Sequence, residues 1–402
     1  MKDVFFIAWR NLFRNPRRTA ASLLTVAFGA AGLLIYQGFN TGLMNQYREN
    51  TIRGYYGFGQ VFNQNYYSHV YEKPWEHWIS DPAAVEEKIK QVPDVTEVFP
   101  RVSFFAFLVR GGLTLGGKGE GISPDREAKF FTQKNIVQGR DLQGPDEIIL
   151  GKGLADSLGV KAGDNLTILT QTVHGQLNGS DLQVVGVFHM GIKSIDDQFF
   201  RVSLDTAQQL LDTQKVEMFS LATTGVENWK KVSSALTRSA PELEAVSFDV
   251  LDKVYYQNSV EFLNAQFNVI RAIILFIVGL GIFNTIAVGL LERAGEIGAL
   301  RANGETRRRL FQILLIENGM LGILGGLLGI LIAIALNFTA MAKGIPMPPA
   351  PGLTRTYWVL LEIQPAHYLQ ALFLPTLSAM AASLLPARKL LARAIPDLLR
   401  SV

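Results

Sequence analysis

The chain has 402 residues, of which 48 % are hydrophobic and 18 % are charged, and its formal net charge is +3. The charged fraction lies below the roughly 25 % of ordinary soluble domains. A net charge this small gives no reason to expect a nucleic-acid partner. Because the chain has no cysteine, a disulfide framework, a zinc-thiolate site and a cysteine nucleophile are excluded.

Residues 1–18 have the pattern of an amphipathic helix that lies on the cytoplasmic membrane surface and ends at Pro16. The C-terminal segment "LLPARKLLARAIPDLLR" is expected to form a similar helix, bounded by Pro386 and Pro396. For both segments the alternative is an ordinary helix packed on protein. In the first, apolar residues on one face oppose arginines on the other, namely Phe5, Trp9, Leu12 and Phe13 against Arg10, Arg14 and Arg17.

Four stretches meet the length requirement for a membrane-spanning helix, about 20 mainly apolar residues across a hydrocarbon core of about 30 Å. For the first stretch a cleaved signal peptide is the alternative, because small residues lie near Gly29. Its uncharged run continues to Tyr47, which is long for a signal peptide. The sequence therefore predicts transmembrane helices at 19–40, 266–291, 310–342 and 368–387.

Residues 41–265 separate the first two predicted spans and are expected to form a large α+β extracytoplasmic domain. A helix, a turn and a strand follow one another twice, at 83–109 and 227–251, which suggests two related α/β units. Polar stretches at 41–50 and 255–271 could continue the flanking spans outward as helical stalks. Short apolar runs predict a β-rich lobe between the two units, at 146–151, 164–171 and 182–191.

The external segment offers motifs that resemble catalytic or metal sites but lack what such sites require. The stretch "GGLTLGGKG" contains Gly112-x4-Gly117-Lys118, which resembles a phosphate-binding loop. Gly119 stands where that loop needs a serine or threonine to reach magnesium, so a glycine-rich hairpin turn is expected instead. The five histidines, His69 among them, show no helical metal-ligand spacing. We therefore expect no catalytic residues, no metal site and no enzyme activity in this chain.

Lysine and arginine near the span ends predict the orientation in the membrane. The loop 292–309 contains five arginines, and the N-terminal flank and the 388–402 tail are also basic. By contrast, the loop 343–367 contains only Lys343 and Arg355. Both termini and the arginine-rich loop are therefore expected in the cytoplasm, with the large domain and the loop 343–367 outside.

The arginine-rich loop is expected to contain a short helix held between the second and third spans. Ile297 and Leu300 would project from this helix as knobs and Arg301 as a hook. Ion pairs among Glu292, Glu296 and Arg301 would fix the angle of the helix. A helix of this kind suits a groove in a cytoplasmic partner.

Two features of the third span leave alternatives open. Gly322 and Gly326 have the small-xxx-small spacing that allows close helix packing, either within the chain or against a second copy. Glu317 lies inside the span, where an acidic residue is costly unless it is paired or near the interface. It either pairs with Arg301 or Arg308 or has a role in coupling.

The segment "ERAGEIGALRANGETRRRLFQILLIENGMLGILGGLLG" is similar to the E-R-x-x-E-I-G-x-L-R-A-x-G pattern of the FtsX/MacB-like permeases of ABC transporters. The flanks "AWRNLFRNPRRTA" and "LLPARKLLARAIPDLLR" support this resemblance. External segments "GEGISPDREAKFF", "EIILGKGLADSLGVKAGDNLTI" and "VVGVFHMG" resemble the lipoprotein-release, LolC/LolE-type branch. Two features depart from the family, namely Asn303, where a small or apolar residue is usual, and the aromatic stretch 53–75, which matches no branch.

The resemblance implies a permease subunit that pairs with a second permease, identical or paralogous, and docks on a cytoplasmic ABC ATPase dimer. ATP and magnesium would bind to that ATPase, and no cofactor would bind directly to this chain. The implied ATPase-coupling residues are Glu292, Arg293, Glu296, Ile297, Gly298, Leu300, Arg301, Ala302 and Gly304.

The resemblance also implies a mechanotransmitting transporter in the bacterial inner membrane, which passes the ATP-driven motion to a periplasmic domain. Its cargo would be a lipoprotein or another lipid-like molecule, with possible periplasmic accessory proteins. The alternatives are an FtsX-like scaffold that activates a periplasmic cell-wall hydrolase and a MacB-like efflux permease. Cargo contacts are expected at the outward ends of the first two spans, at Tyr36, Asn40, Met44, Phe262 and Phe267.

Overall fold

The computed structural model describes residues 2–253, 257–349, 354 and 356–399. Arg355, used above for orientation, lies outside the described residues. So do the start of the second predicted stalk and the last three residues of the tail.

The chain forms two compact units. The first unit comprises Met1–Asn45, Glu261–Pro346 and Trp358–Val402. The second unit comprises Gln46–Val260 and Met347–Tyr357.

The secondary structure is mainly helical in the first unit and mixed in the second. The helices are α1 (Lys2–Arg14), α2 (Pro16–Thr51), α3 (Tyr66–His69), α4 (Pro82–Lys90), α5 (Pro124–Glu127), α6 (Lys152–Leu158), α7 (Lys193–Asp196), α8 (Leu204–Leu211), α9 (Trp229–Ser239), α10 (Phe248–Leu251), α11 (Asn258–Glu292), α12 (Ala294–Ala302), α13 (Arg307–Phe338), α14 (Pro365–Ala392) and α15 (Ile395–Leu399). The strands are β1 (Gly59–Asn63), β2 (Val95–Arg110), β3 (Leu113–Ile122), β4 (Asn135–Gly139), β5 (Glu147–Gly151), β6 (Asn165–Gln171), β7 (Leu177–His189), β8 (Phe199–Ser203), β9 (Met218–Thr223), β10 (Leu243–Ser247), β11 (Ile345–Met347) and β12 (Tyr357–Val359). A π-helical turn follows α2 at Ile52–Tyr56, and 3-10 turns occupy Pro74–His77 and Val226–Asn228.

Helices α2, α11, α13 and α14 are long and apolar enough to cross a membrane, judged by length and composition. Their ends differ from the predicted spans. Helix α2 continues to Thr51 and so includes the predicted stalk 41–50. Helix α11 likewise includes the described part of the second predicted stalk, 258–271. Helix α13 ends at Phe338, before the predicted boundary at 342.

Helix α1 is amphipathic, as predicted, and its two apolar edges face different surroundings. Ala8 and Leu12 are buried in a core that they share with α11, α12, α13 and α14. Phe5, Phe6 and Phe13 are each more than half exposed. One edge of the helix therefore packs on protein, while the aromatic edge has the exposure expected of side chains that insert into a membrane interface.

Helix α13 packs through two interleaved pairs of glycines. A Cβ atom added at Gly322 would lie 2.6 Å from the Cα of Thr376 in α14, and Gly326 also faces α14. Gly325 and Gly329 face α2, where an added Cβ on Gly329 would lie 2.5 Å from a backbone oxygen. The small-xxx-small spacing is therefore used for packing inside the chain, because only glycine allows these backbones to approach so closely.

The C-terminal segment differs from its prediction. Pro386 lies inside α14, and the break falls later, between Ala392 and Ile395. Apolar spanning helices tolerate an internal proline, since neighbouring groups satisfy the freed backbone. The following helix α15 buries Leu398 completely. The tail is therefore packed on protein, which was the alternative for this segment.

In the second unit, β10, β1, β9 and β2 form an antiparallel layer in that order. The chain order β1-α4-β2 and β9-α9-β10 is the split β-α-β arrangement of ferredoxin-like folds. The repeats predicted at 83–109 and 227–251 correspond to α4-β2 and α9-β10. They belong to one layer rather than to two separate units, because β1 and β9 lie between their strands.

A β-rich lobe is inserted into this layer between β2 and β9. Strand β2 belongs to both parts, because its first half pairs with β9 and its second half pairs with β3 and β6. The predicted runs 146–151, 164–171 and 182–191 correspond to β5, β6 and β7. The glycine-rich stretch is the β2–β3 hairpin, with its turn at Gly111 (φ 59°), and Lys118 lies in β3. A strand in this position excludes a phosphate-binding loop.

Four charged side chains form a buried cluster at the junction of the layer and the lobe. Arg101 donates from Nε and Nη2 to the two carboxylate oxygens of Glu127, both at 2.8 Å. Arg201 Nε donates to Glu120 Oε2 at 2.9 Å, and Arg101 Nη1 lies 3.4 Å from Glu120 Oε1. Burial alone would raise the pKa of Glu120, but the charges of Arg201 and Arg101 hold it below its ordinary value. Arg101 also donates to the carbonyl of Tyr55 in the π-helical turn.

The aromatic stretch 53–75, which matched no branch, contributes partly to the core of the layer. Tyr66 is 4 % exposed and its ring stacks on that of Phe62, with the centroids 5.0 Å apart. Its hydroxyl donates to the buried carboxylate of Glu217. Tyr71, in contrast, is 99 % exposed, so packing explains only part of the stretch.

Glu147 gives the second unit a specific acid sensitivity. Hydrogen bonds from Arg140 lower the pKa of Glu147 to about 2, against the burial that opposes this shift, and backbone N–H groups of Gln143 and Gly144 add to it. Because the folded pKa lies below the ordinary value of about 4.3, the stabilisation is complete above that value and is lost as the pH falls toward 2. Glu147→Gln should therefore reduce the fall in melting temperature between pH 5 and pH 3. The exposed Glu72→Gln should keep the wild-type fall, and equal slopes in all three proteins would contradict the prediction.

Candidate functional site

The arginine-rich loop contains the predicted short helix, α12, between the ends of α11 and α13. The chain leaves α11 after Glu292, passes Arg293 and enters α12 at Ala294. A turn that includes Gly304 (φ 91°), a backbone conformation that favours glycine, leads to α13. Thr306 caps that helix by accepting a hydrogen bond from the backbone N–H of Arg309 at 3.3 Å.

The face of α12 that packs on protein is not the one predicted. Ile297 is 3 % exposed and Gly298 is also buried, so Ile297 is not a projecting knob. A Cβ added at Gly298 would lie 2.9 Å from the Cβ of Leu398 in α15. The exposed residues of the predicted coupling set are Glu292, Leu300, Ala302 and Gly304.

Arg301 binds within the chain and is not a free hook. Its Nη1 donates to the carbonyl of Arg393 at 2.6 Å and to that of Leu391 at 3.2 Å. These carbonyls lie at the C-terminal end of α14, where a helix leaves backbone oxygens without helical partners. The positive charge also suits the negative end of the helix dipole. Arg301 therefore fixes α12 to the C-terminal segment.

Arg293 is the partner of Glu317, rather than Arg301 or Arg308. Its Nη1 donates to Glu317 Oε1, and both side chains are about nine-tenths buried. The Nε of Arg293 donates to Glu296 at 3.3 Å, so one guanidinium links α12 to α13. The ion pair offsets the free-energy cost of placing the charged Glu317 side chain in an apolar helix.

Sequence reasoning did not predict that α15 packs against α12. The signal that could have found it is Gly298, which stands in a short helix where a better helix former would be expected unless another segment approached closely. Leu398, two residues after the Pro396 that marks the helix, provides that approach.

Gly298→Val is expected to push α15 away from α12, because the new methyl groups would overlap Leu398. Trypsin should then cleave after Arg393 about tenfold faster, as the overpacking cost of about 1–3 kcal/mol raises the open population. Gly279→Val is the matched control, since nothing lies within 4 Å of an added Cβ there. Identical cleavage rates in both variants would show that the contact between α12 and α15 does not hold the C-terminal segment in place.

The residues predicted to contact cargo lie only partly together. Asn40, Met44 and Phe267 line one cavity of about 330 Å³ between α2, α11 and the start of α14. Tyr36 stands beside it, with its hydroxyl donating to the carbonyl of Phe267 at 3.0 Å. Phe262 does not line the cavity and is 68 % exposed.

This cavity is mainly polar, although Met44 and Phe267 contribute apolar side chains to its lining. The backbone at its rim is tightly fixed, because Glu362 N–H donates to the carbonyl of Gly38 at 3.0 Å. A Cβ added at Gly42 would overlap the carbonyl of Leu360, so this contact requires glycine. The cavity is therefore a preformed feature of the first unit.

Two family models match the chain. One, described as MacB-like periplasmic core domain, matches residues 19–239. The other, described as FtsX-like permease C-terminal, matches residues 268–395 and so covers the arginine-rich loop.

Individual relatives have low sequence identity to this chain. The lipoprotein-releasing system transmembrane protein LolE of Haemophilus influenzae is 24 % identical over 415 residues, which cover 96 % of this chain and 95 % of that protein. LolC of Neisseria meningitidis is 23 % identical over 253 residues, 60 % of each chain. Among solved structures, the periplasmic region of MacB from Actinobacillus actinomycetemcomitans is 12 % identical, with a TM-score of 0.36, over 48 % of this chain and 90 % of that one.

Proposed function

This chain belongs to the ABC transporter permeases with a MacB-like periplasmic core domain and an FtsX-like permease region, and we propose that it docks on a separate cytoplasmic ATPase through α12. The observation that supports this most directly is the two-sided character of α12. One side is fixed by Arg293, Arg301 and α15, while Leu300, Ala302 and Gly304 remain exposed. A rigid helix with one free face can transmit a push from a partner without bending.

The proposed topology has four spans, α2, α11, α13 and α14, in the inner membrane. Both termini and α12 lie in the cytoplasm, and residues 41–265 lie in the periplasm. The arginines of the loop 292–309 support this orientation. The exposed aromatic edge of α1 is consistent with a helix on the cytoplasmic surface.

The proposed cargo is a lipoprotein or another lipid-like molecule. Similarity to a lipoprotein-releasing protein over nearly the full length supports this class. In the proposed mechanism, ATP binding and hydrolysis on the ATPase move α12, and the motion changes the conformation of the periplasmic domain. A second permease copy, identical or paralogous, would complete the transporter.

Efflux is the second candidate function. The chain is 23 % identical over 367 residues to the pyoverdine export ATP-binding/permease protein PvdT of Pseudomonas syringae, but it spans only 53 % of that protein. A small exported molecule rather than a lipidated protein would then be the cargo.

Purification of the tagged full chain in mild detergent, with mass spectrometry of proteins and lipids together, tests the proposal. Co-purification of an ABC ATPase with lipoproteins is the expected result. An ATPase with only small amphiphiles would favour efflux, and an ATPase with a cell-wall hydrolase would favour a regulatory scaffold. Absence of any ATPase would overturn the docking role of α12.

Arg301→Glu is expected to uncouple ATP hydrolysis from transport. The new carboxylate would face the carbonyls of Leu391 and Arg393, and loss of charge-assisted hydrogen bonds should lower transport about tenfold. ATP hydrolysis and lipoprotein release are measured in the same proteoliposomes. Arg301→Lys, which keeps the positive charge, should retain part of the transport, and unaltered release in Arg301→Glu would contradict the prediction.

A further inference from the structure

The cavity between α2, α11 and α14 is lined largely by amide side chains. Besides Asn40, its walls include Asn45, Asn264, Asn268 and Gln370. Its volume of about 330 Å³ lies at the lower end of the range of about 300–1,000 Å³ typical of small-molecule sites. That size suits the polar head of an amphiphile rather than a whole lipid.

Two buried amide oxygens at this cavity have no hydrogen-bond donor among the described residues. They are Gln37 Oε1 and Asn40 Oδ1. Gln37 is 5 % exposed, and its Nε2 donates to Gln370 Oε1 at 2.5 Å, while its Oε1 has no donor among the described residues. Buried polar atoms are nearly always hydrogen-bonded, because an unpaired one costs about 1–3 kcal/mol. A ligand that supplies N–H or O–H donors would satisfy both oxygens once their side chains turn toward the cavity.

Arg271 adds a positive charge to the same cavity. It is the last charged residue of α11 before the uncharged run that begins at Ala272. Its side chain is exposed, and no described acidic residue forms an ion pair with it. An arginine at the end of the apolar run of a helix extends toward the membrane surface, where its guanidinium can bind phosphate through two parallel hydrogen bonds.

We propose that this cavity binds the head group of a phospholipid with a primary ammonium, such as phosphatidylethanolamine, with the phosphate on Arg271 and the ammonium N–H groups donating to the amide oxygens of Gln37 and Asn40. The proposal rests on the proposed function, because it requires the cavity to lie at the outer membrane surface. The exposed apolar residues Ile273 and Phe276, which follow Arg271 along α11, offer a surface for the acyl chains.

The test measures binding of short-chain fluorescent phosphatidylethanolamine to the purified full chain in detergent. Arg271→Gln is expected to weaken binding about tenfold, because it removes charge-assisted hydrogen bonds. Asn40→Leu should weaken it several-fold, by removing one acceptor. Arg238→Gln, an exposed arginine of the second unit, is the matched control and should bind like the wild type.

Two competing lipids test whether the cavity requires a phosphate or only hydrogen-bond donors. A glycosyl diacylglycerol has hydroxyl donors but no phosphate, and a diacylated lipopeptide has amide donors but no phosphate. Weak binding of both supports the phospholipid head group. Binding of either probe as tight as that of phosphatidylethanolamine overturns the proposal, as does wild-type affinity in Arg271→Gln. If Asn40→Leu fails to fold, lipid binding by the exposed Arg271→Gln variant alone tests the proposal.

The lipid-binding measurement does not depend on whether the chain docks on an ATPase. Arg271→Gln should still co-purify with the ATPase, because the rest of α11, roughly 30 Å of helix, separates Arg271 from α12. Loss of lipid binding with normal ATPase association supports the inference, whereas lipid binding unaffected by the variants overturns it even if the permease role is correct.

Discussion

Replacement of Arg101 by methionine is expected to lower the free energy of unfolding of the second unit by about 3–5 kcal/mol. The methionine would leave the carboxylate of Glu127 buried without its two hydrogen bonds and would remove one of the positive charges near Glu120. Both carboxylates are fully buried, so water cannot replace the lost partner. With a typical domain stability of about 5–15 kcal/mol, such a loss removes a substantial share of the total stability.

Thermal unfolding of the purified full chain, followed by the loss of strand circular dichroism, measures this effect. Lys88→Met is the matched control, since it removes a cation that pairs with Glu242 at 2.7 Å while both side chains remain about half exposed. An exposed pair contributes at most about 1 kcal/mol. Equal melting temperatures for the two variants would show that the buried cluster is dispensable.

Leu300→Glu is expected to weaken association with the ATPase about 30-fold and to leave the fold intact. Leu300 is 43 % exposed on α12, so a charged replacement does not disturb the core of the chain. If Leu300 is one of the few hot-spot residues at the centre of the interface, its replacement costs about 2 kcal/mol of binding free energy or more. A carboxylate placed against the partner adds the cost of removing a charge from water.

Titration of the purified permease with the ATPase, read by surface plasmon resonance, gives the two dissociation constants. Leu177→Glu makes the same chemical change at a residue that is 78 % exposed in the second unit, and it should bind the ATPase normally. An unchanged dissociation constant for Leu300→Glu would remove Leu300 from the docking face. In that case the exposed Arg307 and Arg308 would be tested next.

Local patterns predicted the elements that depend on neighbours in sequence. The apolar runs predicted α2, α11, α13 and α14, because hydropathy is a property of a continuous stretch. The run 146–151 likewise predicted β5, since a short apolar segment between glycine and aspartate signals is typical of a buried strand. These predictions required no knowledge of the tertiary structure.

Contacts between distant residues could not be predicted in this way. Arg201 is separated from Glu120 by 81 residues, and nothing local marks either as buried. In α12, Ile297 and Leu300 are three residues apart and share a helical face by spacing, yet one is buried and the other exposed. The difference arises from α15, which covers only part of that face. Sequence reasoning offered Arg301 or Arg308 as the partner of Glu317, and only the fold selects Arg293.

The insertion of the β-rich lobe has a consequence for how this protein can change in evolution. The chain leaves the four-stranded layer after Arg101 and returns at Met218, and these two residues are paired neighbours on adjacent strands. Everything between them can therefore lengthen, shorten or be exchanged while the layer keeps its register. Arg101 itself stands at the entry and binds Glu127 inside the lobe. A recombined lobe is compatible with the layer only if it brings a carboxylate to that position, so the junction limits which modules can be exchanged.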